Sequence, residues 1–202
     1  MRAMVLVPVM MAALMAPAFG QTATADWGDV PTPPNATVRL DHDAQGNETR
    51  RIDYPGGVVA QQVRRGGKVQ TLVEDRSGHG AVLCLRMIYL GLREGLDVCR
   101  QEGDGPARAF MDEALDQLDD FVVANSLRPV TKDSLKMDEA QRLKKVQAEA
   151  ARRGPEAVAK GCASGDALRM LGGVRKASLD GLRSDLAAAL SVPRPPVMNP
   201  CL

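Results

Sequence analysis

Apolar and polar residues alternate along the segment from residue 37 to residue 75, as in β-strands that bury one face. Val38 and Leu40, for example, alternate with polar neighbours, and Gly56-Gly57 and Gly66-Gly67 supply turns between successive runs. The turns recur about every ten residues, which is typical of hairpins. The pattern therefore predicts an antiparallel β-meander at 37–76. Its four predicted strands lie near residues 37–43, 48–54, 58–64 and 68–74.

The apolar period changes to that of an α-helix over residues 80–192. The first predicted helix, near 80–102, is apolar except on a narrow stripe that contains Arg86 and Arg93, so we expect it in the middle of a bundle. Four further helices are predicted near 106–125, 132–153, 156–171 and 176–191. The helix at 132–153 has few apolar residues and should lie on the outside. The predicted fold is α+β, mainly α: a small N-terminal antiparallel β-meander followed by a disulfide-stapled bundle of about five helices.

The two ends of the chain differ from its middle. Residues 1–25 contain Arg2, a short apolar run, and small residues at two candidate cleavage points, one before Gln21 and one before Asp26. This combination predicts a cleaved signal peptide, and hence a periplasmic or secreted protein. The polar, proline-rich residues 26–36 predict a flexible leader, and the proline-rich residues 193–202 predict an extended tail.

Export to an oxidising compartment predicts that the four cysteines form two disulfides. Cys84 and Cys99 are 15 residues apart on the first predicted helix, which separates them by about 22 Å. A disulfide needs Cα atoms within about 7 Å, so these two do not pair with each other. An up-and-down order of helices then places Cys162 near Cys99, while the tail returns Cys201 to Cys84. We predict Cys99–Cys162 and Cys84–Cys201, the second bridge tethering the tail.

Composition limits the partners that the protein can have. The formal net charge is +1, which gives no electrostatic reason to bind nucleic acid. No later apolar stretch is long enough for a bilayer, so we expect no membrane span after signal cleavage. Aromatic residues make up 3% of the chain, which argues against stacking platforms for bases or sugars. No cofactor motif is present, and two histidines exclude a histidine-rich metal site.

A few residues have side chains that can carry chemistry. His42 between Asp41 and Asp43 has the composition of a general base or metal ligand, but alternation places it on a strand face beside a turn. His79 lies among small residues that suit a helix entry. Acidic residues cluster on the second predicted helix, where we expect a solvated face or pairing with the basic outer helix, and no metal site. They are Asp112, Glu113, Asp116, Asp119 and Asp120.

These observations favour a non-enzymatic function. We expect an exported soluble envelope protein that binds another envelope protein or assembles into a larger structure, with Trp27 of the leader as a candidate partner contact. The alternative is a periplasmic enzyme, or an enzyme inhibitor, with a site at the junction of sheet and bundle near His79. A binding module should expose a sheet edge or an apolar patch. An enzyme should instead bring His42, His79 or the acidic cluster together in a deep pocket.

Overall fold

The computed structural model describes residues 27–201. The predicted signal peptide and its two cleavage points lie outside the described residues. The N-terminal part is a four-stranded antiparallel sheet in the order β1-β2-β3-β4, which confirms the predicted meander. The strands are β1 Thr37–His42, β2 Glu48–Asp53, β3 Val58–Arg65 and β4 Lys68–Asp75.

Six helices follow the sheet, where the sequence predicted about five. They are α1 Val82–Val98, α2 Gly105–Asn125, α3 Lys132–Arg153, α4 Pro155–Cys162, α5 Gly165–Lys176 and α6 Leu179–Ala189. The prediction of one helix at 156–171 was wrong because a second helix begins inside it. The Ser164 side chain accepts a hydrogen bond from the Ala167 N–H, which is the arrangement of a helix N-cap.

The helices share one apolar core. α1 and α2 supply most of its buried side chains, among them Leu96, Phe110 and Leu118, and α5 and α6 add Leu171 and Leu186. α3 has no buried residue, which agrees with the outer position that its sparse apolar stripe predicts. Gly95 lets α5 approach α1 closely, because a Cβ there would lie 2.9 Å from the Leu171 side chain.

The sheet has a separate small core on one of its faces. Ile52, Tyr54, Val58 and Ala60 are buried there, and they are covered from both ends of the chain. The leader contributes Val30 and Ala36 to this cover, and the tail contributes Val197. We call this side of the sheet the covered face. The sheet therefore obtains from the chain ends the cover that its thin apolar content requires.

The described part of the leader, from Trp27 onward, lies along this face. Its backbone carbonyls accept hydrogen bonds from the sheet: Tyr54 Oη donates to Pro31 O at 2.8 Å, and Gln62 Nε2 donates to Trp27 O at 2.7 Å. The Arg50 guanidinium also donates to the Thr32 hydroxyl at 2.6 Å. These hydrogen bonds attach to the sheet a segment that has few apolar side chains of its own.

The tail links the sheet to the bundle. Asp75 N–H donates to Asn199 O at 2.7 Å, and Leu83 N–H donates to Val197 O at 3.0 Å. The tail also passes so close to the β2–β3 turn that a Cβ on Gly56 would lie 2.3 Å from Pro193 O. The φ of Gly56 is +80°, so glycine meets both the conformational and the steric demand of this turn.

The two disulfides join the pairs that the helix order predicts. Cys84 is bonded to Cys201 with Cα atoms 5.3 Å apart, and Cys99 is bonded to Cys162 with Cα atoms 5.5 Å apart. The first disulfide fixes the tail to the start of α1. The second fixes α4 to the end of α1. All four cysteines are thereby used as crosslinks.

Candidate functional site: the outer edge of the sheet

β1 is the most exposed element of the sheet. All six of its residues are exposed, and among the described residues no strand pairs with its outer side. Two of these residues are apolar: Val38 is 41% exposed and Leu40 is 68% exposed. In the register with β2, Val38 lies opposite Ile52 and Leu40 lies opposite Arg50. Both apolar side chains therefore lie on the covered face of the sheet, but outside the part of it that the leader and the tail cover.

The register also shows which backbone groups of β1 point away from the sheet. Asp43 N–H donates to Asn47 O at 2.9 Å across the β1–β2 turn, so these two residues form a hydrogen-bonded pair. In an antiparallel pair, hydrogen-bonded positions recur at every second residue. Residues 37, 39 and 41 therefore direct their N–H and C=O groups toward β2. Val38, Leu40 and His42 direct theirs outward, to the same edge that carries the exposed apolar side chains.

The end of this edge is blocked at His42. The Asp41 carboxylate accepts a hydrogen bond from the His42 N–H at 2.8 Å, which occupies the third outward donor. Asp43 serves the adjacent turn, where it accepts bonds from the backbone N–H groups of Gln45 and Asn47. Hydrogen bonds from Asn47, more than any other interaction, hold the pKa of the Asp43 carboxyl below its ordinary value. His42 and its aspartates thus form the end of a strand and a turn.

The opposite edge of the sheet is partly occupied. By the same alternation, Asp75 directs its N–H outward from β4, and this group donates to the tail at Asn199 O. Asn199 forms a parallel bridge with Glu74 at this point. The tail is held there by its disulfide to α1, so the chain itself covers the end of β4. β1 has no such cover among the described residues.

Arg194 binds the sheet, the bundle and the tail together. Its side chain is fully buried and its Nε lies 2.5 Å from Asp75 Oδ2. The two Nη groups donate to the carbonyl oxygens of Gly80, Ala189 and Val192 at 2.6, 3.0 and 2.9 Å. This cluster fixes the sheet relative to both α1 and α6. Arg194 lies in a polar, proline-rich tail whose composition does not indicate that its side chain is buried.

A small cleft lies at the junction beside His79. It has a volume of about 180 Å³ and is lined mainly by apolar atoms, with Tyr89 and Asp185 on its wall. His79 Nδ1 lies 3.0 Å from Ala188 O. Burial, and to a lesser degree the charge of Asp185, raise the pKa of the Tyr89 hydroxyl. The cleft brings His79 to these two groups, but neither His42 nor the acids of α2 line it.

No family model, curated protein or solved structure matches the chain. Within residues 27–201, no helix is long and apolar enough to cross a bilayer. The same residues hold no group of three or more His, Cys, Asp or Glu side chains arranged for a metal ion.

The acids of α2 bind basic side chains of the neighbouring helices. Lys132 of α3 lies 2.9 Å from Asp116 and 2.7 Å from Asp120. Asp119 is fully buried and its Oδ1 lies 2.7 Å from Arg86 Nε of α1. Arg86, which lies on the polar stripe of α1, is therefore buried between α1, α2 and α3. Glu139 of α3 contributes a second carboxylate, 3.0 Å from Arg86 Nη2.

Lys132 and Lys136 near the start of the outer helix therefore bind the acidic residues of α2. Further along the same helix, Arg142 binds Glu94 of α1 at 3.0 Å, and Arg152 and Arg153 bind Glu149 of their own helix. The acidic cluster is accounted for by these contacts between helices.

Trp27 packs against the sheet. The Arg64 guanidinium lies 4.6 Å from the centre of its ring, within the range of a cation–π contact. Its carbonyl accepts the Gln62 hydrogen bond described above. These contacts hold Trp27 against the sheet, and a role for it as a partner contact stays a prediction; the candidate site is built from β1.

Proposed function

We propose that this chain is an exported soluble protein of the cell envelope whose strand β1 binds an extended segment of another envelope protein by strand addition. The observation that carries the proposal is the outer edge of β1. It combines outward N–H and C=O groups at Val38 and Leu40 with the exposed side chains of the same two residues. Main-chain hydrogen bonds would supply affinity, and alternate side chains would supply specificity.

The chemistry of the edge describes the segment that it fits. A bound strand would meet two apolar side chains on the covered face, so it should carry apolar residues at alternate positions. On the other face it would meet Arg39 and Asp41, so opposite charges should occupy its intervening positions. The segment is expected to be short, because Asp41 already occupies the His42 donor at one end.

Two observations support export. The pattern at residues 1–25 is typical of a cleaved signal peptide. The two disulfides are suited to an oxidising compartment, since cytosolic thiols are kept reduced. We place the protein in the periplasm or the surrounding medium on this basis.

The alternative function is a periplasmic enzyme or inhibitor with its site in the cleft near His79. The cleft offers one imidazole, one phenol and one carboxylate beside apolar walls. It lacks a nucleophile activated by a neighbouring base, and the Ala188 carbonyl already contacts His79 Nδ1. The geometry therefore gives strand addition more support than catalysis.

Site-specific photocrosslinking in intact cells tests the proposal. A photoreactive benzoyl-phenylalanine is placed at position 40 of β1, or at position 72 of β4 as a matched control. Leu72 is also an exposed strand leucine, at 44% against 68%, but its backbone groups point toward β3. We expect an adduct of defined mass from position 40 and none from position 72.

A second variant tests whether the adduct depends on the backbone edge. Leu40→Pro removes the outward N–H, while the bonds between β1 and β2 come from residues 37, 39 and 41. With the photoreactive group moved to position 38, this variant should lose the adduct and keep the far-ultraviolet circular dichroism of the parent. Equal adducts from positions 40 and 72, or an adduct unaffected by Leu40→Pro, would overturn the proposal.

A further inference from the structure

We propose that the segment bound at β1 is β1 of a second copy of this chain, so that two sheets join into one eight-stranded sheet. This inference rests on the proposed function, because it names the partner of the same edge. In the antiparallel arrangement, a two-fold axis passes through the sheet between the two β1 strands. The covered faces of both copies then lie on the same side.

The outward backbone groups fix how the two strands can align. Only even-numbered residues of β1 point outward, so an even-numbered residue must face an even-numbered residue of the second copy. With Leu40 on the axis, Leu40 faces Leu40, and Val38 faces His42 of the second copy. Each of these facing pairs exchanges two backbone hydrogen bonds. The exposed leucines meet at the centre of the joint.

The charges of Arg39 and Asp41 favour this alignment over the two alignments nearest to it. Between the hydrogen-bonded pairs, Arg39 faces Asp41 of the second copy, and Asp41 faces Arg39 of the second copy. The joint thus contains two ion pairs on the face opposite the leucines. An axis through Arg39 would instead place two arginines opposite each other, and an axis through Asp41 would place two aspartates opposite each other. Like charges in directly opposite positions destabilise strand pairing.

The blocked donor at His42 fits the same alignment. In the single chain, the Asp41 carboxylate accepts the His42 N–H. In the pair of chains, that N–H would donate to Val38 O of the second copy, and the Asp41 carboxylate would turn to Arg39 of the second copy. Each group exchanges one partner for another, so no donor or carboxylate is left without one. Asp41 would then protect the edge in the monomer and bind across the joint in the dimer.

Charge exchange gives a test that is specific to this register. In the purified exported chain, Arg39→Asp places two carboxylates opposite each other, and Asp41→Arg places two guanidinium groups opposite each other. Each single change should reduce dimerisation by roughly tenfold. The double variant Arg39→Asp/Asp41→Arg restores opposite charges and should recover most of the loss. Analytical ultracentrifugation over a range of protein concentrations measures the dissociation constant of each variant.

An introduced cysteine tests the central contact separately. All four native cysteines are in disulfides, so Leu40→Cys provides the accessible thiol for crosslinking. Facing Cα atoms of a hydrogen-bonded antiparallel pair lie about 5.5 Å apart, which suits a disulfide. Mild oxidation should convert Leu40→Cys into a covalent dimer, and the control Leu72→Cys should remain monomeric.

The outcomes separate this inference from the proposed function. A self-adduct in the photocrosslinking experiment, with rescue by the double charge variant, supports both. An adduct with a different protein, together with a monomeric chain at high concentration, overturns the dimer and leaves strand addition standing. Dimers that are insensitive to Arg39→Asp and Asp41→Arg overturn the register and the partner assignment. Native circular dichroism of each variant confirms that the comparison is made between folded proteins.

Discussion

Replacing Arg194 with alanine should be among the most destabilising single changes in this chain. The arginine side chain is fully buried, and it pairs with Asp75, whose side chain is 1% exposed. Its removal leaves a buried carboxylate without its cation and deprives three backbone carbonyls of their donor. Breaking a buried ion pair by deleting one partner costs about 3–5 kcal/mol. We expect a loss in this range for Arg194→Ala.

Urea unfolding measures this loss. With a slope of about 2 kcal/mol per molar urea, the midpoint should fall by roughly 2 M. Arg183→Ala is the matched control, because Arg183 also pairs with a carboxylate, Glu113, but both side chains are more than 40% exposed. Exposed pairs contribute about 0–1 kcal/mol. The reasoning is refuted if the midpoint of Arg194→Ala lies within the range of this control.

The pH dependence of the loss identifies its cause. Burial opposes ionisation of Asp75, but hydrogen bonds from Ser77 and Arg194 outweigh it and hold the pKa of the carboxyl below its ordinary value. Asp75 therefore stabilises the native protein above the unfolded pKa of about 3.9, and this contribution disappears as the pH falls through the folded pKa. Without Arg194 the carboxyl should protonate at higher pH. The deficit of Arg194→Ala should then shrink as the pH falls through the pKa of the variant's Asp75 carboxyl toward the lower pKa of the parent, whereas a purely steric defect would stay constant.

Three other changes have defined outcomes. Replacing Cys99 and Cys162 together by alanine should cost about 4 kcal/mol, because the disulfide spans 63 residues; a urea-measured loss below about 1 kcal/mol would contradict this. Thr131→Ala removes the side-chain cap of α3 and should cost about 1 kcal/mol in the same assay, and an unchanged midpoint would show that the cap contributes nothing. Burial, and then the charge of Asp119, raise the pKa of Glu139, so its ionisation should lower stability as pH rises above about 4.3. Glu139→Gln should remove that decline from a pH series of unfolding midpoints, and an unaltered decline would refute it.

The parts of the fold that could be predicted are those encoded in local periodicity. Ile52 and Val73 lie on the covered face, so alternation revealed their strands. Helix geometry separated Cys84 from Cys99 and led to the observed disulfides. The division between α4 and α5 was missed because Ala and Leu continue at helical spacing across Ser164, although its N-cap composition was a usable signal.

The parts that could not be predicted depend on contacts between distant segments. The leader docks through the carbonyls of Trp27 and Pro31, and no side-chain pattern reports a backbone acceptor. Asp75 and Arg194 are 119 residues apart, and each lies in a polar stretch. The Asp43–Asn47 hydrogen bond shows which residues of β1 are hydrogen-bonded to β2, and hence which residues direct their backbone groups outward. An open sheet edge was expected from the sequence. Which residues of β1 direct their backbone groups outward could be determined only from the structure.

The rest of the described chain covers one edge of the sheet, at β4, and leaves the other edge, at β1, uncovered. At β4 the chain supplies its own cover: the Cys84–Cys201 disulfide holds the tail against Asp75, and Arg194 forms a buried ion pair with the same residue. Within residues 27–201, β1 is protected only by its shortness and by the charges of Arg39 and Asp41. Short, charged edges resist indiscriminate pairing, because most partners would oppose like charges or leave a charge unpaired. The same two charges are matched by a strand with the reversed order, and an antiparallel copy of β1 has that order. The protection of this edge and its choice of partner thus follow from the same pair of residues.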